Sequence, residues 1–165
     1  MKNKELKREI ESAFKDISVS IFEDTKMTIT VQKEGVLNIL SFLKEKGCEH
    51  LALISCVDWI EKGEFELVYI VGSYGAPEHQ STSVQVILKT KISRENPQVS
   101  TVISVFKNAE PYERELHELY GINFEGHPRL RPLLLERKYK IPPFRKDFDT
   151  RKYVEETFDE IPFVE

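Results

Sequence analysis

Cysteine is nearly absent from this chain. The 165 residues hold only Cys48 and Cys56, with seven residues between them. That spacing matches no zinc-ribbon or redox motif, and an iron–sulfur cluster needs roughly four thiolates. Cys56 lies in the apolar run LALISCV, where a free thiol acts as a small buried hydrophobe. Long apolar runs are missing too: none approaches the roughly 20 residues that cross a bilayer. The opening MKNKELKREI is too charged for a secretory signal, so the expectation is a cytoplasmic protein. A basic excess is also lacking. The net charge of -4 argues against the concentrated cationic face of a nucleic-acid binder.

The common catalytic signatures do not occur. Gly72, Gly75, Gly121 and Gly126 form neither a dinucleotide fingerprint nor a phosphate loop. No Ser or Cys stands in the context of a nucleophile elbow. His117 and Glu118 open like the zinc-protease pattern HExxH, but Gly121 occupies the position of the second imidazole. The structural alternative is a helix surface with i,i+4 pairs, Glu113 with His117 and Arg114 with Glu118. The histidines His50, His79, His117 and His127 are scattered along the chain. His127 precedes Pro128, which biases its backbone toward an extended form. It is expected to fix the chain through a side-chain hydrogen bond and not to hold a metal.

The apolar content of 40% against 32% charged residues suits one core under a charged surface. Helical spacing runs through Leu6, Ile10, Ala13, Phe14 and Ile17, and again through Val36, Leu37, Ile39, Leu40 and Leu43, with Gly47 placed as a left-handed cap. Met27, Ile29 and Val31 alternate as in a half-buried strand, and further strand-like runs cover 51–57, 65–74 and 84–91. Gly63 centres a hairpin turn between the first two of these, and GSYGAPEHQST reads as a flexible exposed loop. Asn96-Pro97 reads as a helix start, with Val99, Val102, Ile103 and Phe106 facing inward. A second helix starts near Asn108, carries Tyr112, Leu116, Leu119 and Tyr120 on one face, and ends at Gly121. The expected fold class is α+β: a largely antiparallel sheet of about four strands with helices on one face, followed by an extended C-terminal arm. The α+β domain is assigned to 1–121, and the docking arm with its acidic, non-helical tail to 122–165.

That arm is the most distinctive stretch. It carries too many prolines for a helix and too few alternating apolar residues for a strand. The expectation is that it cannot bury itself and lies against another polypeptide. Arg114, Arg129, Arg131, Arg145 and Lys146, interleaved with Phe124, Phe144 and Phe148, have the character of interface anchors. Pairing of these cations with Glu113, Glu115 or Asp147 inside the chain is the competing reading. An alternative from another class is a small free-standing enzyme using His127 and Glu118 as acid and base.

The segment ERELHELYGINFEGHPRL, together with RKDF, resembles the signature of the 30 kDa subunit family of respiratory complex I. In that family the chain is a peripheral-arm subunit of NADH:quinone oxidoreductase (NADH dehydrogenase), with relatives in membrane-bound, energy-converting nickel–iron hydrogenases. CVDW at 56–59, followed by EFELVYIVGSY, is similar to the family's central strands, so the resemblance covers most of the chain. Glu118 and Tyr120 depart from the Asp and Phe usual before the glycine, which points to a divergent branch. The resemblance implies a cofactor-free scaffold in the peripheral, cytoplasmic arm of an ion-translocating membrane oxidoreductase, attached to the membrane only through its complex. Its implied partners are a hydrogenase-like large subunit and a small iron–sulfur subunit. Iron–sulfur clusters, and in some branches a nickel–iron centre, would belong to those neighbours. The residues implied in the contact are Glu113, Arg114, Glu115, Phe124, Gly126, His127, Pro128, Arg131, Arg145, Lys146, Asp147 and Phe148. No catalytic or metal-ligating residue is expected in this chain.

Overall fold

A computed structural model describes residues 3–23, 25–73, 84–135 and 139–158. The expected loop after Ser73, with His79, falls outside the described residues, as does the end of the acidic tail from 159 on.

Strand alternation builds the main sheet. β4 (Glu64–Ser73) buries Phe65, Leu67, Tyr69 and Val71 on one face, and β5 (Val84–Ser93) buries Val84, Val86, Leu88, Thr90 and Ile92. With β3 (His50–Trp59), β2 (Lys26–Thr30) and β1 (Ser18–Glu23), they form a five-stranded sheet in the order β1-β2-β5-β4-β3. All neighbours run antiparallel except β2 and β5, which are parallel. The sheet therefore has one strand more than the sequence showed. The extra strand, β1, escaped because it lies at an edge, where only Val19 is buried.

Helices cover one face. α1 (Asn3–Ala13) inserts Leu6 and Ile10, and α2 (Val36–Glu45) inserts Val36, Ile39, Leu40 and Leu43. α3 (Ala109–Tyr120) buries Ala109, Leu116 and Leu119 and lies along β3. Asn108 does not cap this helix with its side chain. Its amide instead donates to the Leu51 carbonyl at 2.8 Å, and the Tyr112 hydroxyl donates to that of Ala52 at 3.0 Å. Two carbonyls of the edge strand are thereby satisfied, which blunts an edge that would otherwise template further pairing.

The helix expected after Asn96-Pro97 does not form. The chain there makes a short strand, β6 (Gln98–Ser100), followed by turns, and β6 pairs in parallel with β7 (Asn123–Glu125). The segment is rich in β-branched residues (Val99, Thr101, Val102, Ile103, Val105), which resist helix and suit a strand. Side-chain bonding from α3 then holds the Thr101 and Val102 region in its non-helical form.

The tail also differs from expectation. Residues Thr150–Thr157 form α4, capped by the Asp149 carboxylate, which accepts the Lys152 N–H at 3.0 Å. Its inward stripe is little more than Tyr153, so periodicity was invisible. Tyr153 packs with Tyr139 and Phe148, ring centroids 4.9 and 5.6 Å away, both supplied by the arm.

Candidate functional site

The arm does not wait for a foreign surface to become ordered. Ile122 and Phe124 are part of the main core, and β7 anchors the arm's root to β6. Gly121 adopts φ +77°, where a side chain is strained, and an added Cβ would lie 3.1 Å from both Pro142 and Arg145. The returning arm thus crosses directly over the end of α3. The expectation that the arm cannot bury itself is corrected at its root and at several polar attachments.

Three clasps hold it. The first joins the two signature segments. Asp58 of CVDW is 4% exposed and accepts Arg94 in two-point fashion, Nε at 2.9 Å and Nη2 at 3.2 Å. It also accepts the Lys146 N–H at 2.9 Å, while Arg94 reaches on to Asp147 at 2.5 Å. Hydrogen bonding to Arg94 holds the Asp147 carboxyl below its usual pKa. The guanidiniums of Arg94 and Arg145 both approach the Phe65 ring, at 5.7 and 5.2 Å from its centroid. Burial, and then repulsion from Arg94, pulls the Arg145 pKa below its ordinary value.

The second clasp works at the C-terminal turn of α3. Arg145 Nε donates to the Tyr120 carbonyl at 2.7 Å, and the Phe144 N–H to that of Leu119 at 3.0 Å. Glu118 accepts three successive N–H groups, from Leu133 at 3.1 Å and from Leu134 and Leu135 at 2.8 Å each. Burial works against the charge on Glu118, but the three donors outweigh it and its pKa falls. Arg114 completes this attachment, donating to the carbonyls of Arg131 and Pro132 at 3.0 and 2.9 Å.

The third clasp is at the arm's root. Glu113, 0% exposed, accepts Thr101 Oγ1 at 2.5 Å and the Val102 N–H at 2.7 Å. Burial pushes its pKa up to about 7 against the pull of those two bonds. Thr101 in turn donates its N–H to the Glu125 carbonyl at 2.9 Å, just before Gly126. His127 fixes the next turn as the sequence suggested: Nδ1 accepts the Arg129 N–H at 2.9 Å and Nε2 lies 3.5 Å from the Glu110 carbonyl.

The expected residues therefore sort by depth. Glu113, Arg114 and Phe124 are buried; Glu115, His127, Arg145 and Phe148 are half-buried; Gly126, Pro128, Arg131, Lys146 and Asp147 are exposed. The helix pairs expected from spacing are not those observed. Arg114 pairs with Glu110 at 3.2 Å, and His117 Nδ1 meets the Ile122 carbonyl at 2.8 Å. No hydrogen bond joins His127 to Glu118, the two groups of the enzyme alternative. Among the described residues, no group of three His, Cys, Asp or Glu is placed to hold a metal ion. Both thiols are buried and their pKa values are raised by it, to about 11 for Cys48 and about 12 for Cys56. Asp58 and Arg94, the centre of the first clasp, were missed as site residues. Asp58 at least lies in a recognised segment, while nothing in the sequence around Arg94 singles it out.

Known proteins share this layout. The chain is 38% identical over 121 residues to a subunit of the F(420)H(2) dehydrogenase of Methanosarcina mazei, covering 72% of this chain and 73% of that one. It is 35% identical over 140 residues to a subunit of the NADH-quinone oxidoreductase of Rhodobacter capsulatus, covering 82% and 67%. Among solved structures, a chain of the membrane-bound sulfane sulfur reductase, an archaeal respiratory membrane complex, has the same fold. The TM-score is 0.83 at 24% identity, over 98% of this chain and 95% of that one. A trypsin-resistant fragment of Nqo5 superposes with TM-score 0.63 at 25% identity, over 76% and 98%. Residues 29–154 match the model of the respiratory-chain NADH dehydrogenase 30 kDa subunit. That stretch runs from β2 into α4 and contains every group of the three clasps, so the chain belongs to this 30 kDa subunit family.

Proposed function

We propose that this chain is a cofactor-free structural subunit in the peripheral, cytoplasmic arm of a complex I-related, ion-translocating membrane oxidoreductase. It packs on a hydrogenase-like large subunit beside a small iron–sulfur subunit. Those neighbours carry the iron–sulfur clusters and, in a hydrogenase-type complex, the nickel–iron centre. Membrane association comes only through the complex. One observation carries this reading: the arm is clasped to its own domain in a way that leaves a cationic surface outside. Arg131, Lys140 and Lys146 are exposed and make no ion pair among the described residues. The arm carboxylates Asp147 and Asp149 are engaged internally, by Arg94 and by the Lys152 N–H.

Within this reading Glu113, Arg114 and Phe124 act from behind, setting the arm's shape. Gly126, Pro128, Arg131 and Lys146 form the contact, flanked by Glu115, His127, Arg145, Asp147 and Phe148. Reversing three outward charges together (Arg131→Glu, Lys140→Glu, Lys146→Glu) is the test. Complex isolated through a tag on the large subunit should lose this chain, while the melting temperature of the free variant stays within about 3 °C of the parent. Retention of the variant at parental stoichiometry would contradict the docking role.

A further inference from the structure

The backbone N–H groups of 131–135, and two of the carbonyls, are satisfied from within the chain. Glu118 takes the N–H groups of Leu133, Leu134 and Leu135, and Arg114 takes the carbonyls of Arg131 and Pro132. The Arg131 N–H reaches the Arg129 carbonyl at 3.0 Å, and Pro132 has no N–H to satisfy. A turn whose N–H groups are already paired costs less to dehydrate than one whose donors must find partners on docking. Its side chains nevertheless face water: Leu134 is 63% exposed and Leu133 37%. Phe144, 59% exposed, is tied to the same end of α3 through the Leu119 carbonyl and packs edge-on against Tyr120 at 6.0 Å.

Charge narrows the occupant. Residues 126–149 carry seven Lys or Arg against three Asp or Glu, in a chain whose net charge is -4. The acids of α3 that reach this stretch, Glu110 and Glu118, are turned inward onto Arg114, Arg129 and the 133–135 N–H groups. Exposed leucines on a stretch whose Arg131, Lys140 and Lys146 make no ion pair among the described residues fit an apolar depression with carboxylates on its rim. Rigidity favours a protein over a lipid surface. Lipid binds amphipathic helices by buried area and charge, whereas a shaped turn held by five hydrogen bonds from two side chains lowers the entropy cost of docking into a matching socket.

We infer that the Leu133–Leu134 turn, held by Glu118 and Arg114, is a preorganised knob that seats in an acid-rimmed apolar socket of a neighbouring protein subunit. This rests on the subunit reading above and adds where the binding energy is concentrated. The test is Leu134→Asp in the full chain, with complex again isolated through the large subunit. Recovery of this chain should fall by about thirty-fold or more, while amide exchange at 133–135 in the free variant matches the parent. Glu118→Ala keeps both leucines but releases the turn. It should accelerate exchange at 133–135 and lower recovery by about ten-fold.

If Leu134→Asp is retained while the triple charge reversal is lost, the arm docks without the knob: the inference falls and the subunit reading stands. If both variants are retained, both fall. Flotation of the free chain with phosphatidylglycerol–phosphatidylethanolamine vesicles, abolished by Leu134→Asp, would assign the knob to a lipid surface and overturn the inference.

Discussion

Replacing Asp58 with alanine is expected to cost about 2–3 kcal/mol, because it removes the two-point partner of a largely buried cation and the acceptor of a backbone N–H. The Arg94 side chain is 14% exposed and would keep only Asp147, a partner that is itself 39% exposed. The Lys146 N–H loses its acceptor at the same time, so residues 144–149 lose one of their attachments to the sheet. The urea midpoint should fall, and the amides of Lys146 and Phe148 should exchange faster than those of β4. The double variant Asp58→Ala, Arg94→Met should be milder than Asp58→Ala alone, since it removes the stranded charge as well as its partner. If the single variant unfolds at the parental urea midpoint, the clasp contributes nothing measurable to the fold.

Glu113 carries the second large effect, a pH dependence with a definite sign. Burial raises its pKa from 4.5 to about 7 in the folded chain. The folded state therefore holds the proton more tightly than the unfolded state. The resulting stability is fully present below about pH 4.5 and is lost as pH rises toward about 7. The span is on the order of 3 kcal/mol. Tyr69 on β4 faces the same region, and burial, then the charge on Glu113, pushes its pKa up, so it stays neutral across this window. Glu113→Gln offers an acceptor to the Val102 N–H and a donor to Thr101 without titrating. It should flatten this contribution and leave the variant more stable than the parent at pH 8. Glu113→Ala instead leaves the Val102 N–H without its partner and should destabilise by about 2–3 kcal/mol below about pH 4.5, a deficit that shrinks as pH rises toward about 7 because the variant no longer carries the buried carboxylate. Equal slopes of stability against pH in the parent and in Glu113→Gln would exclude Glu113 as the source.

Elements whose side chains follow one period were legible in the sequence. β4 alternates cleanly, α2 carries a full apolar stripe, and Gly121 ends α3 at positive φ. Elements that depend on other parts of the chain were not. Asn96-Pro97 has the chemistry of a helix start, but the β-branched run and the Glu113 bonds decide otherwise. α4 has a stripe too thin to see, because its aromatic partners come from the arm.

The site shows the same division. The signature segments could be recognised as strings, and their cationic, aromatic character is real. Their immediate work was hidden by distance along the chain: Lys146 meets Asp58 from 88 residues away. Glu118 was paired on helical spacing with Arg114, yet its oxygens take N–H groups 15 to 17 residues ahead. A periodic rule cannot find a contact made by a chain that turns back.

The arm is ordered by its own domain before any partner arrives, and the docking role proposed for it depends on that order. Residue-resolved amide exchange on the isolated chain tests this directly. Slow exchange at Leu134, Leu135, Phe144 and Lys146, approaching that of Tyr69 in β4, is the predicted result. Random-coil exchange at those four amides beside a protected β4 would contradict it.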